Sequence, residues 1–594
     1  MKRIVILSAL AVAAMSAAGK SVNISLADYG VEPGTGANTT RVINRALGEA
    51  LQSVASGDDV TVTLTPGRYD FYPEMSMLRT YYIYISNHDQ DNPKFTGLEL
   101  KGLRNVTIEA DNVEFMMHGR MLPLAIVDCE NCTVTGLAID FVTPQIAQVE
   151  IVENDTVNGR IHYRPLPEVQ YRIDDEGNFV NYGIGWELVP CAGIAFEGDT
   201  RRVMYNTGDI NVGTRNVRQE ADGTISAPWN DKRLVPGTRV AMRGYQRPCP
   251  GIFMADDVNT TLSDVTVHYA EGMGLVAQMC DGITLNGFSV ALRGADDPRY
   301  FTTQADATHF SGCKGVIDSR LGLYEGMMDD AINVHGTYLK ITGRPDSRTL
   351  TGRYMHHQTY GFRWGEPGDT VQFIASRTMD VTGEPLVIES IIPVDENGKE
   401  CALAGAKLFN VRFTADVDPA IDPSVTDFGM ENLTWTPSVI FDGNTVRHNR
   451  ARGALFSTPR HVECTNNFFD HTSGSAVLLC GDCNGWFETG QCRDVLIAEN
   501  RFLNALTSRY QFTEAVISIY PEIPDIESQK RPFHDGIVIR DNLFETFDSP
   551  LLYAKSVKNL TFGPNTVIHN TDYPPLMPDR KPVETLKVEN LVIE

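Results

Sequence analysis

Between Ser438 and Glu594 the chain alternates apolar and polar positions in short runs. Five of these runs superpose when each is set on one asparagine: Asn444, Asn467, Asn500, Asn542 and Asn565. Five residues before these stand Val439, Val462, Val495, Ile537 and Leu560; three before, Phe441, Cys464, Ile497, Ile539 and Phe562; two after, Val446, Phe469, Phe502, Phe544 and Val567. Every one of these positions is apolar. Period-two alternation predicts strands buried on one face. The asparagine tolerates the left-handed backbone region and is expected to turn each strand into the next. The asparagines are 23, 33, 42 and 23 residues apart, which makes the unit a coil of 23 residues with additions in some turns. Short strands at that period, with no helices between them, predict an all-β chain: a right-handed parallel β-helix whose coils stack about 4.8 Å apart. An ordinary β-sandwich gives no reason for the shared asparagine offset.

Looser copies of the unit begin near Asn131, Thr260 and Asp281. Near the amino end, Asn38, Thr39 and Thr40 supply capping side chains, and Val42, Ile43, Ala46, Leu47, Ala50 and Leu51 form one stripe at helical spacing. That pattern predicts an amphipathic helix closing the open end of the solenoid, where a bare β edge invites aggregation. Two stretches lack the asparagine corner and show short alternating strands with turns at Asp175-Glu176-Gly177, Pro236-Gly237 and Asn397-Gly398. Each stretch is about 100 residues, enough for a small antiparallel β-barrel. The expected order is a signal peptide at 1–18, cap and first coils at 19–141, an inserted barrel at 142–250, central coils at 251–340, a second inserted barrel at 341–435, and the last coils at 436–594.

Lys2 and Arg3 precede an apolar run from Ile4 to Ala14, and Ser16-Ala17-Ala18 follows with small residues. This three-part pattern predicts export to a bacterial periplasm or beyond the cell. No later run is long and apolar enough for a spanning helix, so no membrane insertion is expected. A length of 594 residues is too great for one compact core but natural for a solenoid. The net charge of −25 argues against nucleic acid and anionic membranes as partners. The cysteines are eleven, an odd number; Cys129 with Cys132, and Cys480, Cys483 and Cys492, have spacings a zinc site can use. Cysteine also serves as a small apolar residue in a stack, and buried free thiols are the expectation here.

The most polar part of the repeat lies between the two insertions: Gln304-Ala-Asp306-Ala-Thr-His309, then Glu325-Gly-Met-Met-Asp329-Asp330-Ala-Ile-Asn333-Val-His335-Gly336. Asp306 and Asp329 are 23 residues apart, one coil, so three carboxylates are expected on one patch of surface. Adjacent strand residues face opposite ways, so Asp329 and Asp330 share a groove only where the backbone turns. Three close carboxylates without a compensating Lys or Arg repel, which keeps at least one protonated near neutrality. An acid beside bases is the equipment of glycoside hydrolysis. Clustered Asp with Asn333 is also calcium-ligand chemistry, but no further acidic residue recurs at that coil position, and no metal is expected.

These residues resemble glycoside hydrolase family 110, exported bacterial α-1,3-galactosidases acting on blood group B type glycans. The resemblance runs over nearly the whole chain after residue 18. It is carried by Gly326-Met-Met-Asp329-Asp330-Ala-Ile-Asn-Val-His335-Gly336, by Arg450-Ala-Arg452-Gly-Ala-Leu-Phe-Ser-Thr458, and by Asn484-Gly-Trp486-Phe-Glu488-Thr-Gly490. It implies a β-helix with two inserted barrels, galactose-terminated glycans as substrates, no cofactor, and inversion by single displacement. Asp329 is assigned as general acid, with Asp306 and Asp330 positioning and deprotonating the attacking water. Inversion calls for acid and base about 6.5–9.5 Å apart. His335 is a candidate for a sugar hydroxyl or for orienting an Asp. Trp486 offers an aromatic face, Glu488 a carboxylate for hydroxyls, and Glu366 in the second insertion a reach over the groove; Arg452 balances the acidic groove. Polygalacturonases share the order of a lone Asp and then a pair, but their Arg-Ile-Lys and Gly-His-Gly signatures are absent, which speaks against a uronate. A lyase needs a base beside a neutralised uronate. A glycan-binding β-helix without catalysis needs aromatic platforms and no trio. The solenoid flanks and barrels also offer surface for a homodimer.

Overall fold

The computed structural model describes residues 19–55, 57–84, 90–244 and 246–594, so the expected signal peptide at 1–18 lies outside the described residues. Strands pair in parallel from coil to coil in three stacks, which is a parallel β-helix. One stack carries Val439, Val462, Val495, Ile537 and Leu560 directly in line. The second carries Val446, Phe469, Phe502, Phe544 and Val567. The third runs through Leu275–Gln278, Thr308–Ser311, Ile332–Thr337, Ala454–Phe456 and Val477–Leu479. The inward positions fill one continuous apolar core. In it the Phe469, Phe502 and Phe544 rings stack at centroid distances of 5.2 and 5.0 Å. The longer asparagine spacings arise because the chain leaves the stacks at 480–493, 504–516 and 520–533.

The asparagines act differently from the expectation. None of the five has a positive φ; the left-handed residue is the one before, at Gly443, Asn466, Glu499 and Asp541, with φ between 56° and 67°. Asn444, Asn467, Asn500 and Asn542 are buried and form a ladder. The Asn500 amide donates to Cys464 O at 2.8 Å and to Asn542 Oδ1 at 3.0 Å, and its own Oδ1 accepts from the Asn467 backbone N–H at 2.9 Å. An amide turned inward carries donors and an acceptor that must be satisfied, and stacking on its own copy does so. The strain of the turn therefore falls on an exposed neighbour. Asn500→Ala is expected to cost about 2–3 kcal/mol, because it orphans buried backbone groups on both sides. Asn565→Ala, at the half-buried end of the ladder, should cost less; urea denaturation of the two variants is the check.

The helix Thr40–Leu51 buries Ile43, Ala46, Leu47 and Ala50 against the amino end of the core. Asn38 Oδ1 accepts from the Thr40 backbone N–H at 3.0 Å. All eleven cysteines are free thiols, nine of them buried. Cys129 and Cys132 face main-chain carbonyls inside the solenoid.

The chain leaves the second stack after Phe141 and re-enters the third at Ile252. Between them, a six-stranded antiparallel sheet is built from segments of Ala147 to Met242, with a separate three-stranded hairpin sheet between Tyr171 and Leu188. A second excursion, Leu339 to Asn432, forms a seven-stranded antiparallel sheet. It closes on itself where Thr370–Ala375 pairs with Phe428–Asn432.

Candidate active site

The trio lies at the corner that leads into the third stack. Thr308 pairs with Ile332, and Ile332 with Ala454, so the residue two before each strand residue occupies the same station: Asp306, Asp330 and Arg452 on successive coils. The backbone ladder agrees, with Ala307 N–H donating to Asp330 O at 2.8 Å. The register is one residue longer than the 23-residue spacing suggests, and Asp306 stacks on Asp330 instead of Asp329. Asp329 reaches the same space because residues 328 and 329 form a bend.

One carboxylate oxygen from each of Asp306, Asp329 and Asp330 lies within 4.8 Å of the others. That is tighter than the expected separation of acid and base. The tight spacing is possible because cations stand directly on the carboxylates: Arg452, expected to balance the groove, is one of them, and Arg450 is another. Arg452 Nη2 is 2.9 Å from Asp330 Oδ2, and its backbone N–H donates to Asp330 Oδ1 at 3.2 Å. Arg450 Nη1 is 3.6 Å from Asp329 Oδ2 and its Nε is 2.7 Å from Asp209 Oδ1 of the first insertion. Arg243 also pairs with Asp209, and Arg247 completes the wall.

Burial pushes Asp306 upward, the nearby Asp329 charge adds to it, and Arg247 opposes it. Burial also holds Asp330 well above the usual carboxylate range despite Arg452. For Asp329 burial is outweighed by Arg450, Arg452 and Arg247 together, and its pKa falls below the ordinary value. At rest the negative charge of the trio therefore concentrates on Asp329, which is also the most accessible of the three: side-chain exposure is 18% for Asp329, 6% for Asp306 and 1% for Asp330. A cation suits this donor set poorly, since the guanidinium groups of Arg450 and Arg452 already occupy its neighbourhood.

The cavity above the trio measures about 220 Å³. Trp486 and Glu488 line it, as do His309, Asn333, Asp482, Tyr510 and Phe512. Asp482 accepts the backbone N–H groups of Asn484, Gly485 and Trp486 at 2.7–2.9 Å, and this fixes the loop that presents the half-exposed Trp486 ring. His356 of the second insertion stacks on that ring at 5.0 Å. Glu488 is held by antiparallel pairing of Glu488–Thr489 with Gly336 and Thr337. A Cβ at Gly336 would stand 2.5 Å from Thr489 Oγ1, so only glycine admits this approach. Burial raises the Glu488 carboxyl to about 7 against the pull of His309.

Two candidates fall outside the cavity lining. His335 is buried behind His309, its Nε2 2.9 Å from His309 Nε2, and it meets no open space where a sugar could bind. Glu366 sits on an exposed turn, 2.8 Å from Arg363, which in turn pairs with Asp256. The reach of the second insertion is made by His356 instead. Sequence reasoning missed Arg243, Arg247, Arg450, His309 and Tyr510 as site residues. Only His309 and Arg450 had a legible signal: His309 follows Asp306 by three residues, and Arg450 accompanies Arg452 at the coil corner.

Two family profiles match the chain: GLAA-B beta-barrel domain I at residues 147–240 and GLAA-B beta-barrel domain II at residues 349–398. Over 560 residues the chain is 55% identical to Alpha-1,3-galactosidase B of Parabacteroides distasonis, covering 94% of this chain and 90% of that protein. It is 54% identical over 570 residues to Alpha-1,3-galactosidase B of Phocaeicola vulgatus, covering 95% of each. It is 54% identical over 555 residues to Alpha-1,3-galactosidase B of Bacteroides fragilis, covering 93% of this chain and 92% of that protein.

Proposed function

The chain belongs to the α-1,3-galactosidase B family, and from that premise we propose that it is an exported, exo-acting glycoside hydrolase. It removes terminal α-1,3-linked galactose from blood group B type or linear glycans, with inversion at the anomeric carbon. The observation that carries this reading is the convergence of Asp306, Asp329 and Asp330 on the floor of one cavity, within 4.8 Å of one another. A neutral sugar suits a cavity whose arginines are mostly engaged: Arg243 and Arg450 pair with Asp209, and Arg452 with Asp330. Trp486 offers its ring to the apolar face of galactose. Export is supported by the Lys2-Arg3, apolar, small-residue pattern of the first 18 residues.

Accessibility makes Asp329 the carboxyl that reaches the glycosidic oxygen, while Asp306 and Asp330 lie too deep for direct attack on a sugar carbon and hold the water. Asp329 needs a proton that it lacks at rest. A sugar filling the cavity displaces the water that solvates its charge, which raises its pKa. Carboxyls this close titrate as one unit, so the proton passes to Asp329 from its neighbour Asp330 and leaves Asp330 ionised under Arg452. Proton NMR of a galactosyl-α-1,3-galactoside digest at early time tests the reading. β-Galactose is expected first; α-galactose first overturns inversion, and no release overturns the substrate class.

A further inference from the structure

A chain of hydrogen bonds behind the trio has one polarity when its two imidazoles are neutral. His335 Nδ1 lies 2.6 Å from Gly336 O, and a carbonyl oxygen only accepts, so that nitrogen carries hydrogen. In a neutral ring His335 Nε2 is then a bare acceptor, and the hydrogen between the rings, 2.9 Å apart at their Nε2 atoms, belongs to His309. His309 Nδ1 is bare in turn, and the atom 2.7 Å from it, Asp306 Oδ2, is left as the donor. A carboxyl oxygen donates only when protonated.

We propose that His309, backed by His335, is a positioning residue that holds Asp306 as a neutral carboxylic acid. Asp306 then orients the attacking water through its other oxygen, and Asp330 alone deprotonates it. This rests on the reading of the trio as catalytic and divides the work of its two deepest members.

The alternative polarity puts an imidazolium in the chain and an ionised Asp306 at its end. Both rings are 1% exposed, and Tyr84 covers them at centroid distances of 5.1 and 4.9 Å. The charged groups facing them are Glu488, 3.6 Å from His335 Nε2, with Asp329 and Arg247 acting on His309. Burial outweighs these: it takes His309 down to about 4 and His335 well below its ordinary value, and Arg247 adds to the effect on His309. Neutral rings are therefore the stable state at working pH. The water proton goes to Asp330 and the Asp329 proton goes to the leaving oxygen, which by itself restores the resting state, Asp330 protonated and Asp329 ionised, with Asp306 unchanged.

Asparagine copies a protonated carboxyl in shape, with an N–H toward His309 and an oxygen toward the water. Full-length Asp306→Asn, Asp306→Ala, Asp329→Asn and Asp330→Asn are compared on a galactosyl-α-1,3-galactoside, with melting curves to verify folding. Asp306→Asn should lose no more than about 10-fold in kcat/KM, and its acid limb should superpose on that of the parent. Asp306→Ala, Asp329→Asn and Asp330→Asn should each lose about 10²-fold or more, the range of a general acid or base. If Asp306→Asn falls as far as Asp330→Asn, or its acid limb disappears, Asp306 is a working base and this inference is wrong while the trio stands. Near-parent activity of both Asp329→Asn and Asp330→Asn overturns the catalytic reading and the inference with it.

Discussion

Asp329→Asn is expected to lower turnover of a galactosyl-α-1,3-galactoside by about 10³-fold, within the span general acid catalysis commands, while the protein stays folded. Stability survives because the partners of Asp329 keep other carboxylates: Arg450 retains Asp209 at 2.7 Å and Arg452 retains Asp330 at 2.9 Å. Its own Oδ1 makes no hydrogen bond, so an amide in its place disturbs little. The substrate tells an acid from a base. An aryl α-galactoside with a good leaving group needs no proton on the departing oxygen, and the variant should recover most of its loss there. Equal loss on both substrates would remove Asp329 from the role of acid, and near-parent turnover on the natural linkage would remove it from the mechanism.

Arg452→Met should be costly twice. Asp330 is 1% exposed and its Oδ2 accepts a hydrogen bond from Arg452; removing that donor leaves a buried oxygen unsatisfied, at about 2 kcal/mol. Arg452 also lowers the pKa of Asp330, so its loss makes the proposed base harder to ionise. The acid limb of the pH–rate curve should then move to higher pH, because the pair Asp329 and Asp330 works with a single proton and Arg452, which lowers both members, opposes uptake of the second. Chemical denaturation and kcat/KM against pH measure the two effects separately. An unchanged unfolding midpoint together with an unmoved acid limb would show that Arg452 neither compensates Asp330 nor tunes it.

The balance of charge at this site explains why the expected geometry was too loose. Three carboxylates read from sequence call for distance, since like charges in a poorly solvated corner repel. Arg450 and Arg452 could be seen in the sequence beside the proposed coil, yet Arg452 reads there only as a counterweight for the groove at large. In the fold it stands at the same station as Asp306 and Asp330, 122 residues along the chain from the latter. That stacking lets the carboxylates approach. The corner asparagines illustrate the same limit at the scale of one residue: the offset was visible, but whether the side chain turns outward to bend the chain or inward to bond its copy depends on the coil above it.

The sequence by itself determined the solenoid, its period and the membership of the acidic trio. All three rest on local patterns: strand alternation at period two, apolar residues at fixed offsets, and acids one coil apart. Tertiary structure alone decided the rest. It placed Arg243 and Arg247 from the first insertion, Tyr510 and Phe512 from a late loop, and the stacked His356 from the second insertion around one cavity. It also removed Glu366 from the site and set His335 behind His309. A loop that leaves the axis carries no periodicity to report where it returns, and contacts such as Arg450 with Asp209, 241 residues apart, are fixed only when coil and insertion pack together.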